Sequence, residues 1–289
     1  MSPPPARPAG TPPAAPPRAP APTSAASALP TIETGDMEPP APCLVVAAVP
    51  SFGKTTIAAY APAPLILMAS GERGYETLLG AHRVPAVPRA MIDDWTALTG
   101  TLDGLLAMQT IPYETLALDA LGGFERQCHE FVCRRDFGGN WGEKGFGSYQ
   151  KGYDVSVSEW LLMLSRLERL RVRGLTILCL AHTTTIEFKN PDGADYSKYA
   201  LDIHRKTWGV THKWADAVVF GKFENTLTNV IGEKKLKGLG KDAVRTCYTE
   251  PRDAYDAKNR FGMRPEFQMP DDPALMWATL TSEMKGQQS

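Results

Sequence analysis

The chain has 289 residues, of which 43% are hydrophobic and 22% charged, and its formal net charge is −1. This length and composition suit one large α/β domain with a sizeable core. The near-zero charge excludes binding of nucleic acid through overall charge, so any such contact needs a local patch. No apolar run is long enough to span a bilayer and no signal peptide is evident, so we expect a cytoplasmic protein without membrane contact.

The first 42 residues differ sharply in composition from the rest of the chain. More than half of the 25 prolines lie before residue 43, in a stretch rich in alanine with almost no large apolar side chains. Such a segment cannot bury enough apolar surface to offset the conformational entropy lost on folding. We therefore predict a disordered arm over residues 1–42 and one domain over residues 43–289.

From Cys43 onward, short apolar runs alternate with segments that have apolar residues at helical spacing. The first run, which ends at Ala48, is continuously apolar and typical of a strand covered on both faces. We predict strands over 43–48, 65–69, 115–118, 175–181, 217–220 and 243–248, and helices over 54–60, 95–108, 124–134 and 155–171. The alternation indicates an α/β fold with a mostly parallel central sheet flanked by helices. In such sheets, ligands bind at the carboxyl ends of the strands.

The segment that follows the first predicted strand has the sequence of a phosphate-binding loop and opens the next helix. This strand–loop–helix context is the one that a Walker A motif requires. Backbone N–H groups at a helix N-terminus bind anions, and Gly53 allows their close approach. The Lys54 ammonium suits the β- and γ-phosphates of ATP, and the Thr55 hydroxyl suits Mg²⁺. We predict that the nucleotide contacts Pro50, Ser51, Phe52, Gly53, Lys54, Thr55 and Thr56.

The loop departs from the usual motif at one position, where Ala48 replaces glycine. Alanine fits there if its backbone dihedrals are ordinary, whereas Pro50 fixes one φ angle and removes one donor. The alternatives are a chance Gly-Lys-Thr at a strand–helix junction, or a loop that binds ATP with little hydrolysis.

Polar residues follow three of the predicted strands, at the edge where a ligand is expected. Asp119 ends an apolar strand in the manner of a Walker B motif, and we predict that it holds Mg²⁺ together with Thr55. Glu72 is predicted to be the general base that activates water. The alternatives are that Glu72 is an ordinary surface residue, or that Glu125 is the base. His182 is predicted to sense the γ-phosphate, unless it is a structural histidine.

In this order, the residues resemble a family of phage-type RecA-like P-loop ATPases, AAA-domain nucleotide-binding proteins that include the Sak-type single-strand annealing ATPases. The resemblance covers residues 43–267. It rests on Gly53-Lys54-Thr55, Glu72, Asp119, Gly147-Ser148-Tyr149, Ala181-His182, Ala215-Asp216-Ala217-Val218 and Ala257-Lys258-Asn259-Arg260. It implies a RecA-like P-loop NTPase fold with ATP and Mg²⁺ as cofactors. It also implies that ATP hydrolysis acts on single-stranded DNA in phage-type recombination or annealing.

The resemblance further implies a homo-oligomer in which ATP lies at the interface between subunits. In such assemblies a basic residue of the neighbour reaches the γ-phosphate and stabilises the transition state. Lys258 and Arg260 resemble this trans-acting pair, with a solvated basic turn as the alternative. Phage or host recombination proteins are further expected partners.

Two segments match the DNA-contacting loops of RecA-like proteins, residues 136–153 and 183–199. Both interleave aromatic rings with lysines, a composition that suits base stacking and phosphate neutralisation. The alternative is a pair of mobile loops whose aromatic rings pack on the sheet. The side chains concerned are Phe137, Trp141, Lys144, Phe146, Tyr149, Lys151, Tyr153, Phe188, Lys189, Tyr196, Lys198 and Tyr199. The lysine-rich segment 234–241 is a further candidate phosphate contact, or a solvated hairpin tip.

Other functions use the same fold and stay open. One is a helicase or helicase-loading ATPase, although the sequence shows no separate helicase domain. Another is an ATP-dependent switch that binds a protein partner through the Pro-rich arm without hydrolysis. A small-molecule kinase is less favoured, because we identify neither an acceptor pocket nor a lid with arginines.

Overall fold

A computed structural model describes residues 40–190, 193–224 and 243–285. The predicted arm lies outside these ranges except for its last three residues, and the lysine-rich segment 234–241 lies outside them entirely. Among the described residues, no helix combines the length and the apolar character needed to cross a membrane.

The described chain contains ten strands and seven α-helices. The strands are β1 (Cys43–Ala48), β2 (Pro64–Ala69), β3 (Arg89–Ile92), β4 (Thr115–Asp119), β5 (Thr176–Phe188), β6 (Tyr196–Leu201), β7 (Ala217–Glu224), β8 (Val244–Tyr248), β9 (Lys258–Asn259) and β10 (Glu266–Gln268). The helices are α1 (Lys54–Ala59), α2 (Gly74–Gly80), α3 (Trp95–Ala107), α4 (Leu121–Phe137), α5 (Lys151–Val172), α6 (Arg205–Trp214) and α7 (Pro273–Lys285).

The strands form one sheet in the order β10-β8-β7-β1-β5-β4-β2-β3, with β6 paired to β5 and β9 paired to β7. The pairs from β7 through β1, β5, β4 and β2 to β3 are all parallel. The pairs β7–β8 and β8–β10 are antiparallel. The predicted fold class, a mostly parallel central sheet flanked by helices, is therefore confirmed. The carboxyl ends of β1, β2, β4 and β5 meet at one edge.

The core lies in two layers, because successive side chains of a strand point to opposite faces of the sheet. On β1, Cys43, Val45 and Ala47 pack with the layer formed by α3, α4, α5 and α6. The residues between them pack with the layer formed by α1, α2 and α7. Both faces of β1 are thus covered, which explains why this strand is apolar throughout.

The structure differs from the sequence prediction mainly at β5. The strand was predicted to end at residue 181, but it continues to Phe188 and pairs in antiparallel register with β6. The predicted loop over residues 183–199 is therefore largely a β-hairpin. Its first strand carries three consecutive threonines, which favour β structure through their branched side chains but give no apolar alternation. Helices α2, α6 and α7 and strands β3, β6, β9 and β10 were not predicted.

Phe52, in the predicted phosphate loop, is completely buried against β7. A Cβ atom at Gly221 would lie 2.6 Å from Cζ of the Phe52 ring, so only glycine permits this approach. The same ring packs edge-on against Phe223, with 6.0 Å between ring centroids. The loop is thus anchored in the core by its own side chain.

We expect Gly221→Ala to lower the free energy of unfolding by about 1–3 kcal/mol, because the added methyl group forces the Phe52 ring to move. The matched control is Gly100→Ala in α3, where an added Cβ would have no neighbour within 4 Å. That control should stabilise the protein by about 0.5–1 kcal/mol, because glycine is unfavourable inside a helix. Urea unfolding monitored by circular dichroism measures both, and equal effects would contradict the assigned contact.

Candidate nucleotide-binding site

A cleft of about 570 Å³ opens at the carboxyl edge of the parallel strands. The loop after β1, the loop after β2, the end of β4 and the middle of β5 all contribute to it. Its lining includes Ser51, Phe52, Gly53, Lys54, Thr55, Thr56, Glu72, Asp119 and His182. Of the predicted nucleotide contacts only Pro50, which is exposed, is not part of this lining.

Ala48 is the last residue of β1 and is fully buried. It lies in parallel register with His182 of β5 and with Gly221 of β7, so its backbone is extended. An extended position needs no glycine, which explains how alanine fits where the usual motif has glycine. The left-handed conformations of the loop fall instead at Ser51, with φ 64°, and at Gly53, with φ 108°.

The Lys54 side chain is buried and folds back over the loop. Its Nζ atom donates to the carbonyl oxygen of Ala48 at 2.9 Å and of Val49 at 3.3 Å. Burial lowers the pKa of Lys54, and the negative charges of Asp119 and Glu72 oppose this shift. An ammonium group has three donors, so Lys54 can offer a hydrogen bond to an anion in the cleft.

Thr55 and Asp119 meet at the bottom of the cleft, where the Thr55 Oγ1 atom donates to Asp119 Oδ2 at 2.7 Å. Burial raises the pKa of Asp119, an effect opposed by the hydrogen bond from Thr55. A hydroxyl and a carboxylate are hard oxygen ligands of the kind that Mg²⁺ prefers. This donor set therefore fits a magnesium ion that also binds phosphate.

Glu72 and His182 form a pair in the same cleft, with 3.4 Å between Glu72 Oε1 and His182 Nε2. The hydrogen bond from His182 lowers the pKa of Glu72, so the carboxylate is ionised at neutral pH. The alternative base, Glu125, lies on α4 outside this cleft. Its carboxylate accepts the backbone N–H of His204 at 2.8 and 2.9 Å, which stabilises the start of α6.

Lys258 and Arg260 are not brought to the cleft of their own chain. They lie beside the first residues of β7, at the edge of the sheet opposite the phosphate loop. Lys258 Nζ donates to the carbonyl oxygens of His212, Lys213 and Ala215 at 2.5–3.0 Å, so it caps the end of α6. Arg260 is more than half exposed and contacts Asp216 at 3.4 Å. The trans-acting role of the pair stays a prediction.

Sequence reasoning missed several residues on the far wall of the cleft. These come from α2 and the loop after it, from β8, and from α7 and the segment before it, and they are Thr77, Leu78, Arg83, Arg245, Asp271, Pro273 and Met276. None of them lies in a recognisable motif, and Arg245 is 193 residues from the loop residue that it contacts. No local signal in the sequence could have found them.

A phosphate loop after β1, joined through Thr55 to the aspartate that ends β4, is the arrangement of a P-loop nucleotide-binding domain built on a mostly parallel sheet. Similar solved structures include the flagellar accessory protein FlaH from Methanocaldococcus jannaschii, at 8% identity and a TM-score of 0.39, over 82% of this chain and 88% of that one. Another is the RadB recombinase, at 10% identity and a TM-score of 0.44, over 81% and 90%. Among curated protein sequences, no significant match is found.

The sequence profile of a family described as AAA domain matches residues 41–261. This segment spans most of the chain, and the protein therefore belongs to that AAA-domain family. Membership implies nucleotide binding, in agreement with the cleft. The matched segment includes Lys54, Glu72, Asp119 and His182 but ends before α7.

The two carboxylates of the cleft should have opposite effects on stability. Burial raises the pKa of Asp119, so its ionised form costs stability above the pKa of the unfolded chain, and this cost disappears as pH falls through the raised value. The pKa of Glu72 is lowered, so its charge contributes stability that is lost as pH falls through the lowered value. At pH 7 we expect Asp119→Asn to raise the unfolding temperature and Glu72→Gln to lower it. Each change of about 1 kcal/mol in the free energy of unfolding should shift the unfolding temperature by about 2–4 °C.

Differential scanning calorimetry without nucleotide or metal measures both shifts. Repeating the scans near pH 3 should reduce the difference between each variant and the wild type. A lower unfolding temperature for Asp119→Asn at pH 7 would contradict the assignment.

Proposed function

We propose that the protein binds ATP with Mg²⁺ in this cleft and hydrolyses it. The observation that carries the proposal is the 2.7 Å contact between Thr55 and Asp119 beside the buried Lys54 ammonium. It brings together the groups that suit a magnesium ion and the phosphates bound to it, from β4 and from the loop after β1. Thr55 and Asp119 would hold Mg²⁺, which neutralises phosphate charge when it is bound.

The remaining polar residues suit the hydrolytic step. Glu72 is ionised and partly exposed to the cleft, so it can orient a water molecule and accept its proton. His182, in the middle of β5, keeps the carboxylate in place and is the residue that would sense the terminal phosphate. Lys54 contributes positive charge where negative charge develops on the transferred group.

ATP turnover by the full-length protein tests this assignment. Lys54→Ala should abolish nucleotide binding, whereas Glu72→Gln should retain binding and lower turnover by about 10²–10⁴-fold, the usual contribution of a general base. The control is Glu114→Gln, an exposed glutamate that immediately precedes β4, at the end opposite Asp119.

Unchanged turnover by Glu72→Gln would remove Glu72 from the mechanism. A wild-type protein that binds ATP but does not turn it over would favour the non-hydrolysing switch.

We also propose that the ATPase acts on single-stranded DNA, in phage-type recombination or annealing. Supporting this, the β5–β6 hairpin continues directly from His182, so a change at the phosphate site can be passed along one strand. Trp141 from the first predicted DNA segment lines a cavity of about 710 Å³ together with Asp202, which follows the hairpin. The first segment and the base of the hairpin therefore border one cavity.

The aromatic residues of these segments fall into two groups. Phe146 is buried among Phe137, Tyr153 and other rings, which is a packing role. Tyr149 is fully exposed, whereas Trp141 and Phe188 are partly exposed and each also contacts another ring, Phe146 or Tyr196, so Tyr149 offers the most free surface for base stacking. The hairpin lysines are already paired, Lys189 with Asp195 and Lys198 with Asp256. The proposal therefore depends on the exposed rings more than on the hairpin lysines.

Assembly into a homo-oligomer belongs to the same proposal. ATP would lie at the interface between subunits, and the exposed Arg260 of a neighbour would reach the phosphates more readily than Lys258, whose ammonium is held by three carbonyl groups. Phage or host recombination proteins are the partners that such an activity would require.

We expect Tyr149→Ala and Phe188→Ala each to weaken binding of a fluorescent single-stranded oligonucleotide by at least about fivefold, because a stacked base contributes about 1–3 kcal/mol. They should also reduce stimulation of ATP turnover by that DNA. Val172→Ala, an exposed apolar residue at the end of α5, is the control. Fluorescence anisotropy with ATP and Mg²⁺ measures affinity, and equal affinity for all four proteins would argue against this DNA surface.

A further inference from the structure

Arg245 on β8 contacts the phosphate loop. In the strand order, β8 lies on one side of β1, whereas the strands that precede Glu72 and carry Asp119 lie on the other. The Nε atom of Arg245 donates to the carbonyl oxygen of Phe52 at 3.0 Å. The guanidinium also forms an ion pair with Asp271, through Nη1 and Oδ1, and lies 5.4 Å from the centroid of the Phe223 ring. These three contacts hold the Arg245 side chain in one position, and only 22% of it is exposed.

The contact with Phe52 fixes the direction of a peptide group in the loop. In a planar trans peptide, the carbonyl of one residue and the N–H of the next point in opposite directions. A Phe52 carbonyl held towards Arg245 therefore turns the Gly53 N–H away from Arg245. Among the described residues this N–H has no hydrogen-bond partner. It is thus an unpaired donor in a residue that lines the cleft.

The buried Phe52 ring fixes the position of the loop, whereas Gly53, on the other side of the peptide, does not limit the direction of the Phe52 carbonyl group. Gly53 has φ 108° and lacks a side chain that would limit rotation, and Ser51 also adopts a left-handed conformation, with φ 64°. Rotation of the Phe52–Gly53 peptide would turn the Phe52 carbonyl away from Arg245 and change the direction of the Gly53 N–H. A charged donor on the Phe52 carbonyl opposes that rotation.

Asp271 reaches Arg245 because of the way the chain leaves the sheet. Strand β10 pairs with β8, and the N–H of Met269 then donates to the carbonyl oxygen of Arg245 at 2.9 Å. Two residues later Asp271 faces the guanidinium, and α7 begins at Pro273. Met276 of α7 covers Gly53, where a Cβ atom would lie 3.1 Å from the Met276 Cε.

We propose that Arg245 is a positioning residue that orients the phosphate loop for nucleotide binding, and that Asp271, beyond the segment shared with the AAA-domain family, holds Arg245 in place. This inference rests on the proposed nucleotide binding at Lys54. Its ligand is the phosphate group of a nucleotide, recognised through the Gly53 N–H. The C-terminal segment of the chain is thereby part of the nucleotide site.

The test is titration of the full-length protein with a fluorescent ATP analogue in the presence of Mg²⁺. We expect Arg245→Ala to raise the Kd by about tenfold or more, because it removes a charged donor from a carbonyl group. Arg245→Lys should not restore affinity, because one ammonium cannot replace the planar fork that joins Phe52 to Asp271. Asp271→Ala should raise the Kd by about two- to fivefold, since 91% of this side chain is exposed and such pairs are weak.

Two comparisons separate positioning from other roles. The double variant Arg245→Ala/Asp271→Ala should bind no more weakly than Arg245→Ala, because Asp271 acts through Arg245. Arg264→Ala is the control, since Arg264 holds α7 through Glu283, with 3.0 Å between Nε and Oε2, and has no contact with the loop. Thermal unfolding without nucleotide shows whether each variant is folded. If Arg245→Ala does not fold, the variant Asp271→Ala still tests the inference, because Asp271 is exposed and its replacement leaves the core unchanged.

Several outcomes would overturn the inference. If Arg245 bound phosphate directly, Asp271→Ala would release it and tighten binding, and Arg245→Lys would recover most of the affinity. Equal loss in Arg264→Ala would show that only the docking of α7 matters. If the wild type binds nucleotide, Lys54→Ala abolishes that binding and Arg245→Ala does not weaken it, the inference about Arg245 is overturned and the proposed function stays intact. Absence of binding by the wild type would overturn both.

Discussion

Strand β5 pairs in parallel with β1 on one side and with β4 on the other, and this double pairing determines where the polar groups of the cleft lie. In register, Ala48 is opposite His182 and Asp119 is opposite Leu180. The loop after β1 therefore begins one strand away from the residue that ends β4, and Thr55 meets Asp119 although 64 residues separate them in the sequence. A shift of β5 by one residue would turn its side chains to the other face and disrupt both core layers.

The sequence predicts those parts of the fold that are buried on both faces. The bounds of β1 were predicted as observed, and those of β2 and β4 within one residue, because continuous apolar runs have few other uses in a globular domain. Strand β3 was missed because it is a short edge strand with exposed side chains. The start of α4 was hidden by Gly122 and Gly123. These glycines are needed where an added Cβ atom would meet Asp202 or Ala69 within 2.7 Å.

The same limit applies to the candidate site. Lys54, Glu72, Asp119 and His182 could be placed in one cleft because each follows a predicted parallel strand, and parallel strands end at a common edge. Arg245 could not, because its position depends on the antiparallel pairing of β7 with β8, which apolar runs alone do not reveal. Composition also could not separate the exposed Tyr149 from the buried Phe146, since both occur in one glycine-rich segment.

Burial in the cleft makes the ionised forms of its charged side chains less favourable. Burial lowers the pKa of Lys54 and raises that of Asp119, so each ionised group is less favourable there than in water. Lys54 donates to two carbonyl groups of its own loop, and Asp119 accepts from a single hydroxyl. A loop free to rearrange could relieve this cost by exposing the ammonium to solvent. The buried Phe52 ring and the Arg245 contact oppose such a rearrangement, so the loop keeps the ammonium buried beside the Asp119 carboxylate.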